Sequence, residues 1–233
     1  MNLQNVLAYI TWDVDPDIFV LPLINHPVRW YGLFFALAFL IRQHIMYLGY
    51  RKEGRPVSEI DTLTVYMVIA TIVGARLGHV LLYDPIHYFQ NPHKIFMVWE
   101  GGLASHGGII GILVALYLFS RKTGTNYLWI LDRLAIVIAL TCCMIRLGNL
   151  MNSELIGLPT NQPWGFVFSS KDSIPRHPAQ LYEAIHYFIS FVILYWIWST
   201  QRVKMKDGLV TSWGLIVMFS FRFIDEFFKI DQV

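Results

Sequence analysis

The sequence predicts an all-α protein: a polytopic transmembrane helical bundle of six spans with a small external subdomain. Three observations predict it. Hydrophobic residues make up 55% of the 233 and charged residues only 15%, whereas soluble domains carry roughly 25% charge. Six apolar segments approach or exceed the roughly 17–25 residues a helix needs to cross a bilayer. Basic residues are divided unevenly among the connections between them. So few charges cannot coat a water-facing surface of this size, which argues against an ordinary soluble globule, a disordered chain and a nucleic-acid binder. The 18 Lys and Arg nearly balance the 16 Asp and Glu, so there is no strong net field.

Residues 1–27 contain no Lys or Arg and three acids, Asp13, Asp15 and Asp17. A secretory leader has a basic start followed by an apolar run, so this stretch reads as an external N-terminal arm. The expected spans are 28–47, 62–83, 103–119, 127–145, 179–198 and 208–224. Lipid offers no hydrogen bonds, so they are expected to be helices; none alternates as a barrel strand would. Residues 146–178 form the one long polar insert, with Pro159, Pro163 and Pro175. Residues 28–233 thus read as one membrane domain carrying that insert. Cys142 and Cys143 are adjacent in an apolar run and read as small packing residues, not a disulfide framework.

The loops 42–61, 120–126 and 199–207 hold nine basic residues in 36: Arg42, Arg51, Lys52, Arg55, Arg121, Lys122, Arg202, Lys204 and Lys206. The opposite side holds seven in 92. The denser side is expected to be cytoplasmic, which puts both termini outside.

Several polar groups stand in or beside apolar runs and need a reason to be there. Arg76 and His79, Arg146 and Asn149, and Gln180 and Glu183 are each three apart; Arg222 and Glu226 are four apart. Such spacings share a helix face, and singly each pair could be a structural bond between helices. Arg76, Arg146 and Arg222 all fall near the outer ends of their spans. Guanidiniums gathered at one depth repel unless an anion intervenes, and Arg grips phosphate through two bonds. A phospholipid headgroup is the expected anion. His106 opens the third span in Ser105-His106-Gly107-Gly108-Ile109-Ile110-Gly111. The glycines suit close helix packing, but they also leave room for a substrate beside an imidazole. Adjacent residues on a helix point about 100° apart, which disfavours a Ser105–His106 protease pair. His87 and His93 lack a third ligand in reach, so no metal is expected.

Read in order, these residues resemble the bacterial prolipoprotein diacylglyceryl transferases. The likeness rests on His26-Pro27-Val28-Arg29-Trp30-Tyr31-Gly32, Gly74-Ala75-Arg76-Leu77-Gly78, His106-Gly107-Gly108-Ile109-Ile110-Gly111 and Asp132-Arg133-Leu134-Ala135. It continues through Arg146-Leu147-Gly148-Asn149-Leu150-Met151-Asn152-Ser153-Glu154, Arg176-His177-Pro178-Ala179-Gln180-Leu181-Tyr182-Glu183 and Phe221-Arg222-Phe223-Ile224-Asp225-Glu226-Phe227-Phe228. The order is collinear from about 26 to 229. The Arg146–Glu154 block is the most specific part.

The resemblance implies an enzyme of the bacterial inner membrane, with its active site toward the periplasm and the 146–178 insert as a periplasmic subdomain. It implies transfer of a diacylglyceryl group from phosphatidylglycerol to the lipobox cysteine of a prolipoprotein, with no cofactor. Carried over, the functional residues are Tyr31, His106, Arg146, Asn149, Glu154, Arg222 and Glu226. Arg76, His79, Gly107, Gly108 and Gly157 are secondary candidates, and Gln180 and Glu183 read as structural. Ile145, Leu150 and Ser153 stand where the family usually has Gly, Phe and Gly. The family usually has seven spans and continues past the Phe-Phe-Lys region, so beside it the expectation is a chain one helix short. Two rivals use the same charges differently. A transporter for an anionic solute predicts polar groups through the inner half as well. A non-catalytic lipid-binding protein predicts tolerance of losing His106.

Overall fold

A computed structural model describes residues 9–22, 26–201 and 205–230. Residues 1–8 of the N-terminal arm, and Arg202 and Lys204 of the third basic loop, lie outside the described residues. The chain is mostly helical. Its helices are α1 (Trp30–Lys52), α2 (Ser58–Leu82), a short α3 (Pro85–Gln90), α4 (Ser105–Thr123), α5 (Tyr127–Met151), α6 (Ala179–Gln201) and α7 (Leu209–Glu226). Each expected span coincides with one of the long helices. Four of them, α1, α2, α5 and α6, are long and apolar enough to cross a membrane. The two others are less apolar or shorter. α4 opens on Ser105-His106 and closes on Arg121-Lys122-Thr123, and α7 has 18 residues with Arg222, Asp225 and Glu226 at its end.

Among the described residues five short strands accompany the helices: β1 (Ile10–Trp12), β2 (Asp17–Leu21), β3 (His26–Arg29), β4 (Phe166–Phe168) and β5 (Pro175–Arg176). The expectation of an all-helical chain missed them. Runs of two to five residues carry too little alternation to stand out in a sequence.

The chain forms two compact units, residues 1–45 with 132–233, and residues 46–131. In the first, β1 pairs parallel with β4, Ile10 opposite Phe166 and Trp12 opposite Phe168, and β5 pairs antiparallel on the far side of β4. The N-terminal arm and the 146–178 insert therefore share one sheet. Leu150, Phe166 and Phe168 are buried beneath Trp12, Ile156 and Leu181. Trp12 stacks on Phe166 with ring centres 5.3 Å apart, and its indole N–H donates to the Leu150 carbonyl at 3.0 Å. β2 and β3 form a hairpin, with Arg29 bonded to Asp17 at 3.0 Å. Asp132, fully buried in α5, accepts the Gly208 and Thr211 N–H groups at 2.8 Å each and the Thr211 hydroxyl at 2.7 Å. It thereby caps the start of α7 from another helix, where unpaired N–H groups and the helix dipole favour an anion. Its local contact with Arg133 is longer, at 3.9 Å.

In the second unit α2 and α4 meet through small residues. A Cβ on Gly78 would lie 2.7 Å from the Gly107 Cα, and one on Gly107 would lie 2.7 Å from the Gly78 Cα. Gly74 and Gly78 on α2 thus interlock with Gly107 and Gly111 on α4, so both four-residue glycine spacings serve close approach.

Candidate active site

Arg146 lies near the end of α5, Arg222 near the end of α7, and Glu183 in the second turn of α6. The Glu183 carboxylate is completely buried. Arg146 Nε reaches one of its oxygens at 2.9 Å, and Arg222 Nη1 reaches the other at 2.9 Å. Lys229, just past α7, places its ammonium on that second oxygen too. Arg222 also binds Glu226 through Nη2 at 2.9 Å. An anion does stand between Arg146 and Arg222, as the sequence required, but it is a side chain of the protein.

Asn149 links this cluster to Glu154. Its carbonyl oxygen accepts from Arg146 Nη1 at 3.4 Å, and its amide donates to Glu154 at 3.0 Å. The turn after α5 makes that possible. Ser153 and Leu155 have φ of 51° and 57°, and the Glu154 N–H donates to the Asn149 carbonyl at 2.9 Å. Gln180 holds the same turn by donating to the Glu154 carbonyl. Tyr31 packs on Gly148, where an added Cβ would come within 2.7 Å of its ring.

Gly157 acts on Lys229 through the backbone. It pairs with Lys229 in an antiparallel bridge, and the Leu158 N–H donates to the Phe228 carbonyl at 2.9 Å. A Cβ on Gly157 would lie 2.6 Å from that carbonyl oxygen and 2.8 Å from the His177 Cβ. Only a glycine lets the segment after α7 pass this close. Nearby, Arg176 grips Asp172 at 2.6 and 3.1 Å. Those bonds hold the Asp172 carboxyl below its ordinary pKa. Burial pushes the His177 imidazole below its ordinary value.

The remaining candidates belong to the second unit. His106 is exposed in the first turn of α4, beside buried Gly107 and Gly108. Arg76 is buried and turned to backbone carbonyls. It donates to those of Ile95 at 2.9 Å and of Gly102 and Met97 at 3.1 Å, and also to those of Gly101 and Lys94. It also lies 4.9 Å over the Tyr88 ring. Gly102, at φ 71°, has no room for a Cβ, which would sit 2.8 Å from Arg76 Nη1 and 2.7 Å from the His79 ring. Arg76 is thus the staple of the 84–102 loop. His79 stacks on Tyr83.

A family model for prolipoprotein diacylglyceryl transferase matches residues 18–233. The chain belongs to that family. It is 49% identical over 222 residues to the phosphatidylglycerol–prolipoprotein diacylglyceryl transferase of Tolumonas auensis, covering 95% of this chain and 85% of the relative. It is 46% identical over 229 residues to the protein of that name from Chloroherpeton thalassium, covering 97% and 84%. A third, from Porphyromonas gingivalis, is 46% identical over 237 residues, covering 97% and 83%.

This family member is a multi-pass membrane protein by its apolar helices. Of the residues singled out by family likeness, Tyr31, Arg146, Asn149, Glu154, Gly157, Arg222 and Glu226 lie in the first unit, linked through the contacts above. His106, Arg76, His79, Gly107 and Gly108 lie in the second. Sequence reasoning undervalued Glu183 and counted Lys229 only toward orientation. It missed the pair of His186 Nδ1 and Asp225, 2.8 Å apart, with His186 stacked on Phe221. One signal was available for Glu183: a carboxylate in the first turns of an apolar helix needs cations, and Arg146 and Arg222 fall at the ends of neighbouring spans.

Proposed function

We infer that this chain moves the diacylglyceryl group of phosphatidylglycerol onto the lipobox cysteine thiol of prolipoproteins. The thiol sulfur displaces the phosphate at the glycerol carbon. A thioether forms, glycerol phosphate leaves, and the thiol proton must be removed. One observation carries the reading within this family: two arginines from different helices meet at one buried carboxylate while remaining partly exposed, Arg146 by 21% and Arg222 by 40%. A leaving phosphate needs preorganised donors, and each well-placed donor is worth about 3–4 kcal/mol in the transition state. Arg146 and Arg222 are assigned the phosphate. Asn149, Glu154, Glu226 and Tyr31 are assigned the glycerol hydroxyls and the orientation of the arginines.

A thiol with a pKa of about 8.5 is mostly protonated at neutral pH. His106 either takes that proton or positions the headgroup. The pH profile of His106→Gln separates the two: a base leaves an acid limb that the variant lacks, whereas a positioning group leaves the profile in place.

The same reading has six spans, with the arm, the insert and both ends of the chain on the periplasmic face of the inner membrane. Parity of the pairings supports it. The arm, at β1, is paired with the insert, at β4, so an even number of crossings separates them. α1, α2 and α5 are three, which favours α4 as the fourth. Gly157 is paired with Lys229, and α6 alone would leave them on opposite faces, which favours α7 as a span.

The test is incubation of the purified protein with labelled phosphatidylglycerol and a peptide carrying a lipobox cysteine. Thioether-linked label on the peptide is expected, and none on a Cys→Ser peptide. Arg222→Lys keeps the charge but loses the fork, and about a 100-fold loss of kcat is expected. Transfer at the parental rate would rule out recognition through two bonds.

A further inference from the structure

Glu183 touches none of the groups that react, yet it is the most heavily paired side chain of the cluster. Burying an unpaired carboxylate is strongly unfavourable. Here three cations meet it from three segments: Arg146 from α5, Arg222 from α7, and Lys229 from the stretch held on Gly157. Glu183 itself comes from α6. One carboxylate therefore fixes the relative placement of groups from four parts of the first unit.

How the donors are divided gives that placement a use. Arg146 places Nε in an ion pair with Glu183 at 2.9 Å, and its Nη1 makes a 3.4 Å bond to Asn149. Its Nη2 has no partner among the described residues. Arg222 gives one nitrogen to Glu183 and one to Glu226, and Glu226 is itself 57% exposed. Arg146, Arg222 and Lys229 meet Glu183, Glu226 and, through Asn149, Glu154, so three cations face three carboxylates and the cluster persists without a ligand. The Arg146 donor left over is what an incoming anion can take.

We propose that Glu183 is a positioning residue for phosphate: it holds Arg146 and Arg222 at a fixed separation with donors left for an organophosphate, while Lys229 offsets its charge. The proposal rests on reading the two arginines as the phosphate clamp.

The experiment compares the parent with Glu183→Gln, Glu183→Asp and Glu183→Gln/Lys229→Met, alone and on an Arg146→Lys background. The double variant removes one charge of each sign, so it keeps the local balance where Glu183→Gln alone fails to fold. Two readouts are taken: steady-state transfer, and phenylglyoxal modification of Arg146 and Arg222, mapped by mass spectrometry with and without phosphatidylglycerol. For Glu183→Gln, kcat falls about 100-fold, and Glu183→Asp recovers at least about a tenth of the parental rate. On the Arg146→Lys background the further loss is under about threefold, because the two residues act as a unit. Phosphatidylglycerol protects both arginines in the parent and not in the Gln variants. Losses that multiply, or parental kcat and protection in the double variant, would overturn the proposal. If the parent transfers no label, the transferase reading fails, and the modification pattern decides positioning without turnover. Protection lost with Glu183 sustains it; equal protection in parent and variant removes it.

Discussion

Ser153 sits at φ 51° in the turn that brings Glu154 back onto Asn149. An L-residue in that region is strained by about 1–2 kcal/mol, whereas glycine tolerates it but loses more freedom on folding, by about 0.5–1 kcal/mol. Ser153→Gly is therefore expected to leave stability unchanged or raise it by up to about 1 kcal/mol. Thermal unfolding in detergent measures it, and transfer activity should be retained. His177 gives a second expectation at this scale. Burial lowers its pKa, so the fold favours the neutral imidazole. Its contribution is present above the ordinary histidine value and is lost as pH falls through the lowered one. Asp172 is also shifted down, by the Arg176 bonds. Its contribution persists until pH falls below the ordinary carboxylate range, so it adds no slope near neutrality. Between pH 7.5 and 5 the melting temperature of His177→Gln should fall less than that of the parent. Equal slopes would show that His177 is not the group titrating. Residue roles were only partly legible in the sequence. Arg146, Asn149 and Glu154 share a short block, so one turn could unite them. Glu183 and Lys229 lie 46 residues apart in chain number, and their meeting depends on a backbone bridge at Gly157 that no local pattern announces.

The elements were more legible than the contacts between them. A span requires a long apolar run, and such runs are visible; β1, β4 and β5 are too short to show a period. The α2–α4 seam was foreseen from Gly107 and Gly111 as close packing, but its partner face, Gly74 and Gly78, lies inside a stretch noticed for Arg76. Adding one methyl there tests the seam. Gly78→Ala places a Cβ against the Gly107 backbone, which cannot give as a side chain end can. A loss of about 1–3 kcal/mol is expected, read as a lower melting temperature. Arg76→Lys tests the neighbouring staple. Lysine has three donors and no fork, so it cannot reach five carbonyls. Charged hydrogen bonds contribute about 1.5–3 kcal/mol each, so losing two costs at least about 3 kcal/mol. The 84–102 loop should then be cut at Lys94 by trypsin several times faster than in the parent. An unchanged cleavage rate would show that the loop is held by something other than Arg76.

At the scale of the whole molecule, charge counting bears on which face is inner, and strand pairing on which segments share a face. The proposed orientation has the basic 42–61, 120–126 and 199–207 connections inside. The β1–β4 pairing and the Gly157–Lys229 bridge need even numbers of crossings between their partners. In the proposed six-span arrangement α4 and α7 cross as well, although these are the two long helices below the length and apolarity of the rest. Their weak apolarity has a physical origin in what they carry: α4 begins with the polar, glycine-rich His106 turn, and α7 ends with Arg222, Asp225 and Glu226. Single cysteines can decide it, in a background with Cys142 and Cys143 replaced by Ala. Cysteines at the exposed Asn126 and Asp207 should be blocked only after the membrane is made permeable. Cysteines at Lys171 and Asp15 should react with an impermeant maleimide in intact spheroplasts. If Asn126→Cys reacts from outside, the six-span order fails, and the pairing of arm and insert would then require at least one of α1, α2 or α5 to be no span. If Asp207→Cys reacts from outside, α6 and α7 do not cross as a pair, and the six-span arrangement fails.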